Sequence, residues 1–390
     1  MKKLIFITLI LSLMLAMSAF ASRTRVLTMG NNNTILVDDA NIWQFPSRIN
    51  DYPGLAVGEI ATGDVTQFGI HWKLGDDNPY VLATYFDNQS LLQPDDLLGG
   101  ALVSFTDFGL LDNRRINLFY GRRLGSNNFG LRLNLNHSSQ EAGIKESFGY
   151  YQLTLGLTAD DASWDFAVMV ATGSWTDERL DGAGNVIDET QPDGFYDFSV
   201  EGRLFWDSGP NYSYVPHAGL AFSKRGVDSL DLITGSINNK TTFTGTAFEI
   251  GIGQIYTPSN NVEAVLDVGL MYAKVKFEDE DVTANSTTET TFKETTIPFF
   301  KLGLDAEVFS WMDVRFGATS FWIRGTADFP TSEFKVNYPE NDTFLGFGFH
   351  WGNFHVDTYA DPQLFLEGFN FISGGNQDMN FQISATYEML

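Results

Sequence analysis

The chain of 390 residues contains no cysteine, so neither a disulfide framework nor a lipid-modified cysteine is available to it. Basic residues are also scarce, with 24 Lys and Arg against 49 Asp and Glu. Nucleic-acid binding needs a basic surface, so this balance argues against it. One long apolar run is present, from Leu4 to Ala16, and it is shorter than the roughly 20 residues that a membrane helix needs.

The first residues have the parts of a secretory signal peptide. Lys2 and Lys3 precede the apolar run, and Ala19-Phe20-Ala21 supplies the small residues of a cleavage site. We expect a mature start at Ser22, which would move the formal charge from -25 to -27 through loss of the two lysines. An uncleaved anchor helix is the alternative.

From about Leu55 onward, apolar and polar residues alternate with a period of two. Between Phe129 and His137, Phe and Leu occupy one set of positions and Gly, Arg and Asn the other. Successive strand residues point to opposite faces, so such runs predict one apolar and one polar wall. Mean hydropathy is -0.10 although 43% of residues are hydrophobic, a balance typical of a barrel with one face in lipid.

The pattern predicts an all-β fold, a transmembrane antiparallel β-barrel of about sixteen strands. Short turns alternate with long polar loops, which places the turns and both chain ends on the periplasmic side. A fourteen-strand count is the alternative, with a strand over Leu98–Phe105 replacing the first three. A soluble β-sandwich or propeller also alternates, but it normally lacks the lipid-sized apolar band and the one-sided loops. The sixteen predicted strands are 54–61, 66–74, 79–87, 114–124, 129–137, 148–158, 162–173, 196–206, 213–224, 243–256, 262–277, 295–309, 312–324, 343–351, 353–359 and 378–389.

Residues 22–53 lie outside this pattern. The run Asp38-Asp39-Ala40-Asn41-Ile42-Trp43-Gln44-Phe45-Pro46 indicates a short helix or turn ended by the proline. The segment resembles the start of the outer-membrane long-chain fatty-acid transporter family, with Phe45-Pro46-Ser47 where Asn-Pro-Ala is common. The resemblance implies a plug inside the barrel and fourteen strands; a periplasmic tail across the barrel mouth is the alternative. The domains are therefore a signal peptide (1–21), a plug or periplasmic segment (22–53) and the barrel (54–390).

Charged residues on the polar face are the candidate pore lining. A basic stripe precedes a largely acidic one, and such stripes tune ion selectivity in a pore or form salt-bridged networks in a plugged barrel. The acidic excess favours cations. The candidate residues are Arg115, Arg123, Arg132, Asp165, Asp197, Glu201, Arg203, Glu249, Asp267 and Arg315.

Enzymatic chemistry has little support in the sequence. His350, His355 and Asp357 form the one cluster that could hold a metal or a catalytic pair, but no nucleophile or metal-spacing motif accompanies them. The acidic run from Glu278 to Asp281 lacks the glycine and the spacing of a calcium loop. We expect no enzyme activity, no metal and no cofactor.

These features predict a porin-like channel for small solutes, with a modest cation preference, in the outer membrane of a Gram-negative-type bacterium. The alternatives are a hydrophobic-solute transporter with an N-terminal plug, or a non-transporting barrel whose loops serve adhesion or partner binding. Expected partners are outer-membrane lipid, small solutes and a possible second copy of the chain, but not nucleic acid.

Overall fold

The computed structural model describes residues 23–61, 65–75, 80–87, 115–141, 144–180, 186–231, 236–360 and 381–389. The strands in these residues are β1 Leu55–Ala61, β2 Val65–Leu74, β3 Tyr80–Asp87, β4 Arg115–Leu124, β5 Asn127–Glu141, β6 Ile144–Ala159, β7 Trp164–Leu180, β8 Val186–Leu204, β9 Trp206–Gly209, β10 Tyr212–Asp231, β11 Ser236–Ser259, β12 Val262–Asp281, β13 Ser286–Phe309, β14 Met312–Phe329, β15 Ser332–Trp351, β16 Phe354–Ala360 and β17 Phe381–Glu388.

The strands form one antiparallel sheet that closes on itself. Consecutive strands pair along the chain, except that β8 and β9 both pair with β10, and β1 pairs with both β2 and β17. The short β9 continues β8 past Phe205, and both pair with β10, so the described wall has sixteen strands. The predicted barrel and its strand count are confirmed, and the fourteen-strand alternative is wrong. The strand that this alternative placed at Leu98–Phe105 lies outside the described residues.

The two faces of the wall differ in chemistry. On the outer face, large apolar side chains are half exposed, as at Ile250 (52%) and Ile252 (51%). On the inner face of the neighbouring β12, Asp267 is fully buried. A continuous exposed apolar band of this kind marks a membrane-facing surface. No helix among the described residues is long and apolar enough to cross a membrane.

Strand lengths are very unequal. The strands β11 and β13 have 24 residues each, whereas β1 and β16 have 7. The sequence predicts long loops over 138–147, 174–194, 225–241, 278–291 and 326–341, and this is wrong for most of these residues, which belong to strands. Their Thr-rich stretches pair in register, as Thr241 does with Asp279, because Thr suits a strand as well as a loop. The long loops that the sequence predicts at 88–113 and 360–377 lie, except for residue 360, outside the described residues.

A membrane-spanning strand needs roughly 9–11 residues, so the long strands continue beyond the apolar band on the side away from the short turns. We call this part the outer extension. It comprises residues 172–180, 186–195, 224–231, 236–244, 274–281, 286–295, 324–329 and 332–343.

Residues 23–53, which we call the lumenal segment, lie inside the barrel near the short turns. The segment contains the helix α1, Arg23–Thr28, and two 3-10 helices, Asp39–Ile42 and Pro46–Asp51. Asp38 caps the first of these, since its carboxylate accepts from the Ala40 amide over 3.3 Å. Its own amide donates in return to Asn41 Oδ1 over 2.8 Å, which completes a capping box. Ile35, Ile42 and Ile49 are completely buried, which ties the segment to the interior of the barrel.

Candidate functional site

The wall approaches the lumenal segment most closely at glycines. A β-carbon added to Gly130 would lie 2.1 Å from the carbonyl carbon of Pro46, and one added to Gly156 would lie 2.8 Å from the amide nitrogen of Ser47. Only glycine permits such contact between two backbones. Five further inward glycines would place an added β-carbon 2.2–2.5 Å from the segment: Gly121, Gly253, Gly303, Gly317 and Gly346. We call these seven residues the glycine cradle.

Arg203 on β8 joins the wall to the segment. Its guanidinium donates to the carbonyl oxygens of Asn33, Thr34 and Leu36 over 2.8–3.1 Å. It also donates to Asp165 Oδ2 over 2.7 Å and lies 4.6 Å above the ring of Phe45. The carbonyls of a non-strand segment need donors from outside the segment, and a buried arginine can serve several of them at once.

Neighbouring wall residues extend this attachment. Arg132 donates to the Trp43 carbonyl over 2.9 Å, and its guanidinium lies 4.8 Å above the Trp43 ring. From the segment, Arg48 reaches back to Asp165 over 2.8 Å. Glu201 accepts from Gln44 over 2.8 Å. The segment is therefore attached through side chains, mostly buried and charged.

A second charged network lies around α1. Arg25 forms ion pairs with Asp38, Glu263 and Asp305, at 2.9, 3.0 and 3.1 Å. Arg315 on β14 shares Asp305 at 2.9 Å and also pairs with Asp313 and Asp357. The carboxylates outnumber the guanidinium groups, so this end of the lumen is acidic.

Two clefts open beside this network. One, of about 460 Å³, is lined by Arg25, Glu263, Asp305, Glu307 and His350 among others. The other, of about 350 Å³, includes Asp38 and Asp39. Burial, and after it the adjoining Asp38, raise the pKa of Asp39 well above its ordinary value.

The inner face changes character in the outer half of the barrel, where it becomes apolar. Ring edges follow one another from Phe243 to Phe277 (4.7 Å between centroids), from Phe277 to Phe292 (5.7 Å) and from Phe292 to Phe329 (5.9 Å). Phe243 is 1% exposed and Phe329 is 43% exposed, so this series runs from the interior to the rim. The cluster, which we call the inner apolar wall, is formed by Tyr150, Met169, Ala171, Phe195, Ala221, Phe243, Ala247, Met271, Ala273, Val275, Phe277 and Phe292.

The outer face at the same height is charged. Lys276 pairs with Glu278 at 2.8 Å and with Glu289 at 2.9 Å. Lys293 pairs with Asp328 at 2.8 Å. The polarity of the two faces is therefore inverted in the outer extension relative to the membrane band.

The ten candidate pore residues all occupy inward positions of their strands: Arg115, Arg123, Arg132, Asp165, Asp197, Glu201, Arg203, Glu249, Asp267 and Arg315. Four of them, Arg132, Asp165, Glu201 and Arg203, contact the lumenal segment. That the ten line an open solute path stays a prediction.

The other six candidates are paired within the barrel wall or its turns. Arg115 lies 3.6 Å from Asp87, and Asp197 lies 3.2 Å from Arg225. Arg315 belongs to the network around α1. The remaining pairs join Glu249 and Asp267 to His217, at 3.5 and 2.9 Å, and Arg123 to Asp160 at an exposed turn.

The candidate His cluster is also part of the wall. His350 and His355 are direct cross-strand partners with ring centroids 4.1 Å apart, and His350 bonds to Asp313. Asp357 is engaged by Arg315. Within the described ranges, no group of three or more His, Asp or Glu side chains is arranged to hold a metal ion.

Sequence reasoning missed the glycine cradle and the two arginines of the segment, Arg25 and Arg48. The alternation of residues along the strands could have identified the inward glycines, because Gly130 and Gly156 alternate with leucines that face the lipid. Which residue each glycine faces depends on how the barrel closes, and the sequence pattern does not contain that information.

Comparison with known proteins gives distant likenesses in structure alone. No protein-family model matches the chain, and no curated protein matches it in sequence. The toluene transporter TbuX of Ralstonia pickettii aligns over 96% of this chain and 99% of its own, at 8% identity and a TM-score of 0.41. A mutant of the monoaromatic hydrocarbon channel TodX aligns over 95% and 99%, at 10% identity and a TM-score of 0.41.

Larger barrels match as well. This chain spans 60% of the copper transporter OprC and 66% of the ferric citrate transporter FecA, each with a TM-score of 0.38 and with 10% and 8% identity. The assignment of the fold rests on the strand pairing and the apolar band described above. The chain is a sixteen-stranded β-barrel of the outer-membrane type.

Proposed function

We propose that the protein is an outer-membrane channel for small apolar solutes, with the lumenal segment as its movable plug. The observation that carries this proposal is the inner apolar wall. Water-filled barrels have polar interiors, so twelve inward apolar side chains in one cluster need an apolar solute or dense packing to stay out of water.

The outer extension supports a channel for apolar solutes, because its apolar residues do not contact lipid. They face inward, while Lys276 and Lys293 occupy the outward face. An aromatic solute in contact with Phe277 and Phe292 gains roughly 25 cal/mol for each Å² of apolar surface that leaves water. The series of phenylalanines gives such a solute continuous contact from the rim inward.

The plug role follows from how the segment is attached. Among the described residues, Met389 N to Gly54 O is the backbone–backbone hydrogen bond that links the base of the segment to the wall. The other links described above are side-chain bonds and glycine contacts. The segment can therefore shift while every ladder bond of the barrel is kept.

The test is uptake of an uncharged naphthalene fluorophore by cells that express the protein. We expect uptake well above that of cells without it, and about tenfold slower uptake in the double variant F277S/F292S, because about 1.5 kcal/mol of apolar contact is lost. The matched variant F277L/F292L keeps an apolar surface and should keep most of the uptake. Equal uptake in F277S/F292S and F277L/F292L would contradict the proposal.

A second candidate, passage of small cations, is favoured by the acidic clefts around Arg25. Their lining includes Glu263, Asp305 and Glu307. Conductance in a planar bilayer under a salt gradient tests it. A cation-selective current that weakens in E263Q/E307Q would support this candidate, and a silent barrel with normal fluorophore uptake would remove it.

A further inference from the structure

A row of basic residues lies on the outer face of the wall, just beyond the apolar band. On three strands a basic residue follows an aromatic one at a spacing of two: Phe222 and Lys224, Tyr272 and Lys274, Trp322 and Arg324. A spacing of two in a strand puts both side chains on the same face. Trp322 is 48% exposed there, and Phe248 lies 5.5 Å from Tyr272.

The aromatic residues fix the height of this row relative to the membrane. Trp and Tyr side chains of membrane proteins gather at the level of the lipid headgroups. The basic side chains, one outward position further from the band, therefore stand among the headgroups. Because the long strands extend on the side away from the short turns, these are headgroups of the outer leaflet.

The protein compensates the positive charge of this row only in part, through Asp328 beside Lys293 and Glu289 near Lys274. Lys293 on β13 is the direct cross-strand partner of Lys274, and like charges in that position repel. Lys293 also pairs with Asp328 at 2.8 Å. Lys224, Lys274 and Arg324 have no ion pair within the described ranges. An anion between the strands would remove the repulsion.

We propose that Lys224, Lys274, Lys293 and Arg324, the basic row, bind the phosphate groups of an anionic glycolipid of the outer leaflet. Ammonium and guanidinium groups form charge-assisted hydrogen bonds with phosphate oxygens. The acyl chains of the same lipid would lie on the apolar band below, against Tyr272 and Trp322. The whole chain has a net charge of -25, so attraction to an anionic lipid has to be local, and the basic row provides it.

The experiment measures binding of phosphorylated lipid A to the full-length protein in detergent by native mass spectrometry. We expect the double variant K274Q/R324Q to bind about 30-fold more weakly, from about 1 kcal/mol for each basic side chain near an anionic surface. The control K240Q/K335Q loses the same charge from the outward face, farther from the band, and should bind as the wild type does. Heat-modifiable migration on gels establishes that each variant is folded.

Four outcomes decide the proposal. Retained binding in the charge-conserving variant K274R/R324K supports it. Equal binding of dephosphorylated lipid A, or an equal loss in K240Q/K335Q, would overturn it. Displacement of the lipid by inorganic phosphate at the same concentration would also overturn it, because the row would then be a general anion site.

Discussion

At the scale of single residues, Arg203 supplies the lumenal segment with hydrogen-bond donors for its carbonyls, as neighbouring strands do for one another within the wall. It supplies donors to three carbonyls of a segment that has no strand partner, and Asp165 holds the guanidinium in place. A buried charge of this kind is stable because every part of it is paired. Although the lumenal segment is about thirty residues long, much of its attachment to the wall therefore depends on one side chain, that of Arg203.

Replacing Arg203 with Met should weaken this attachment strongly. We expect a loss of about 2–4 kcal/mol, because the buried carbonyls of Thr34 and Leu36 lose their donor. Asp165 keeps its bonds from Arg48 and Thr158. The control is R123M, which removes an exposed ion pair at a turn and should cost at most about 1 kcal/mol. Urea unfolding in detergent measures both, and equal midpoints for the two variants would contradict the assigned role.

Asp39 should make stability depend on pH. Its pKa in the folded protein is raised above the ordinary 3.8, by burial first and by Asp38 next, so the carboxyl resists ionisation. As the pH rises above about 3.8, the free energy of unfolding of the wild type therefore falls relative to that of a variant whose residue 39 cannot ionise. D39N should be more stable than wild type at pH 7, by roughly 1–3 kcal/mol, and the difference should shrink towards pH 4. Thermal unfolding at both values measures it, and a difference independent of pH would refute the assignment.

At the scale of elements, the strands differ in what each face meets along their length. Near the short turns, the inner face consists largely of glycines and charged residues that contact the lumenal segment, and the outer face is apolar. In the outer extension the inner face is apolar and the outer face charged, as Phe277 and Lys276 show side by side on β12. The outer face of one strand thus meets lipid in the membrane band and water beyond it. Apolar and polar residues keep alternating along the strand, but in the outer extension the apolar residues lie on the inner face and the polar residues on the outer face.

Filling the glycine cradle should loosen the segment without opening the barrel. An added β-carbon at Gly130 meets backbone atoms of Pro46, which have no rotamer to change, so G130A should cost about 1–3 kcal/mol of overpacking. Gly209 has open space around it, so G209A is the control. We expect trypsin to cleave after Arg48, which is 2% exposed, about tenfold faster in G130A than in G209A. Equal cleavage would mean that the contact at Gly130 does not hold the segment.

For the whole molecule, the sequence pattern predicts the barrel and its strand count well, because period-two alternation depends on local chemistry alone. The predicted strand at 129–137 lies inside the observed Asn127–Glu141. For most of the outer extension the pattern predicts loops, because its Thr-rich stretches suit both loops and strands. The partners of Arg203 could not be predicted, since residues about 170 apart in sequence meet only once the barrel has closed.

The arrangement of the whole molecule, an apolar outer half above a segment held by side chains, predicts that locking the segment stops transport. The hydroxyls of Ser47 in the segment and Thr158 in the wall share a hydrogen bond of 2.7 Å, so these two side chains meet, and S47C/T158C is the pair to crosslink by a disulfide. The chain has no native cysteine, so the engineered pair is the only possible crosslink. The oxidised protein should lose naphthalene uptake and a thiol reductant should restore it, while each single variant should respond to neither treatment. If the crosslink forms and uptake continues, the solute path does not require the segment to move, and a route along the wall would replace the plug in the mechanism.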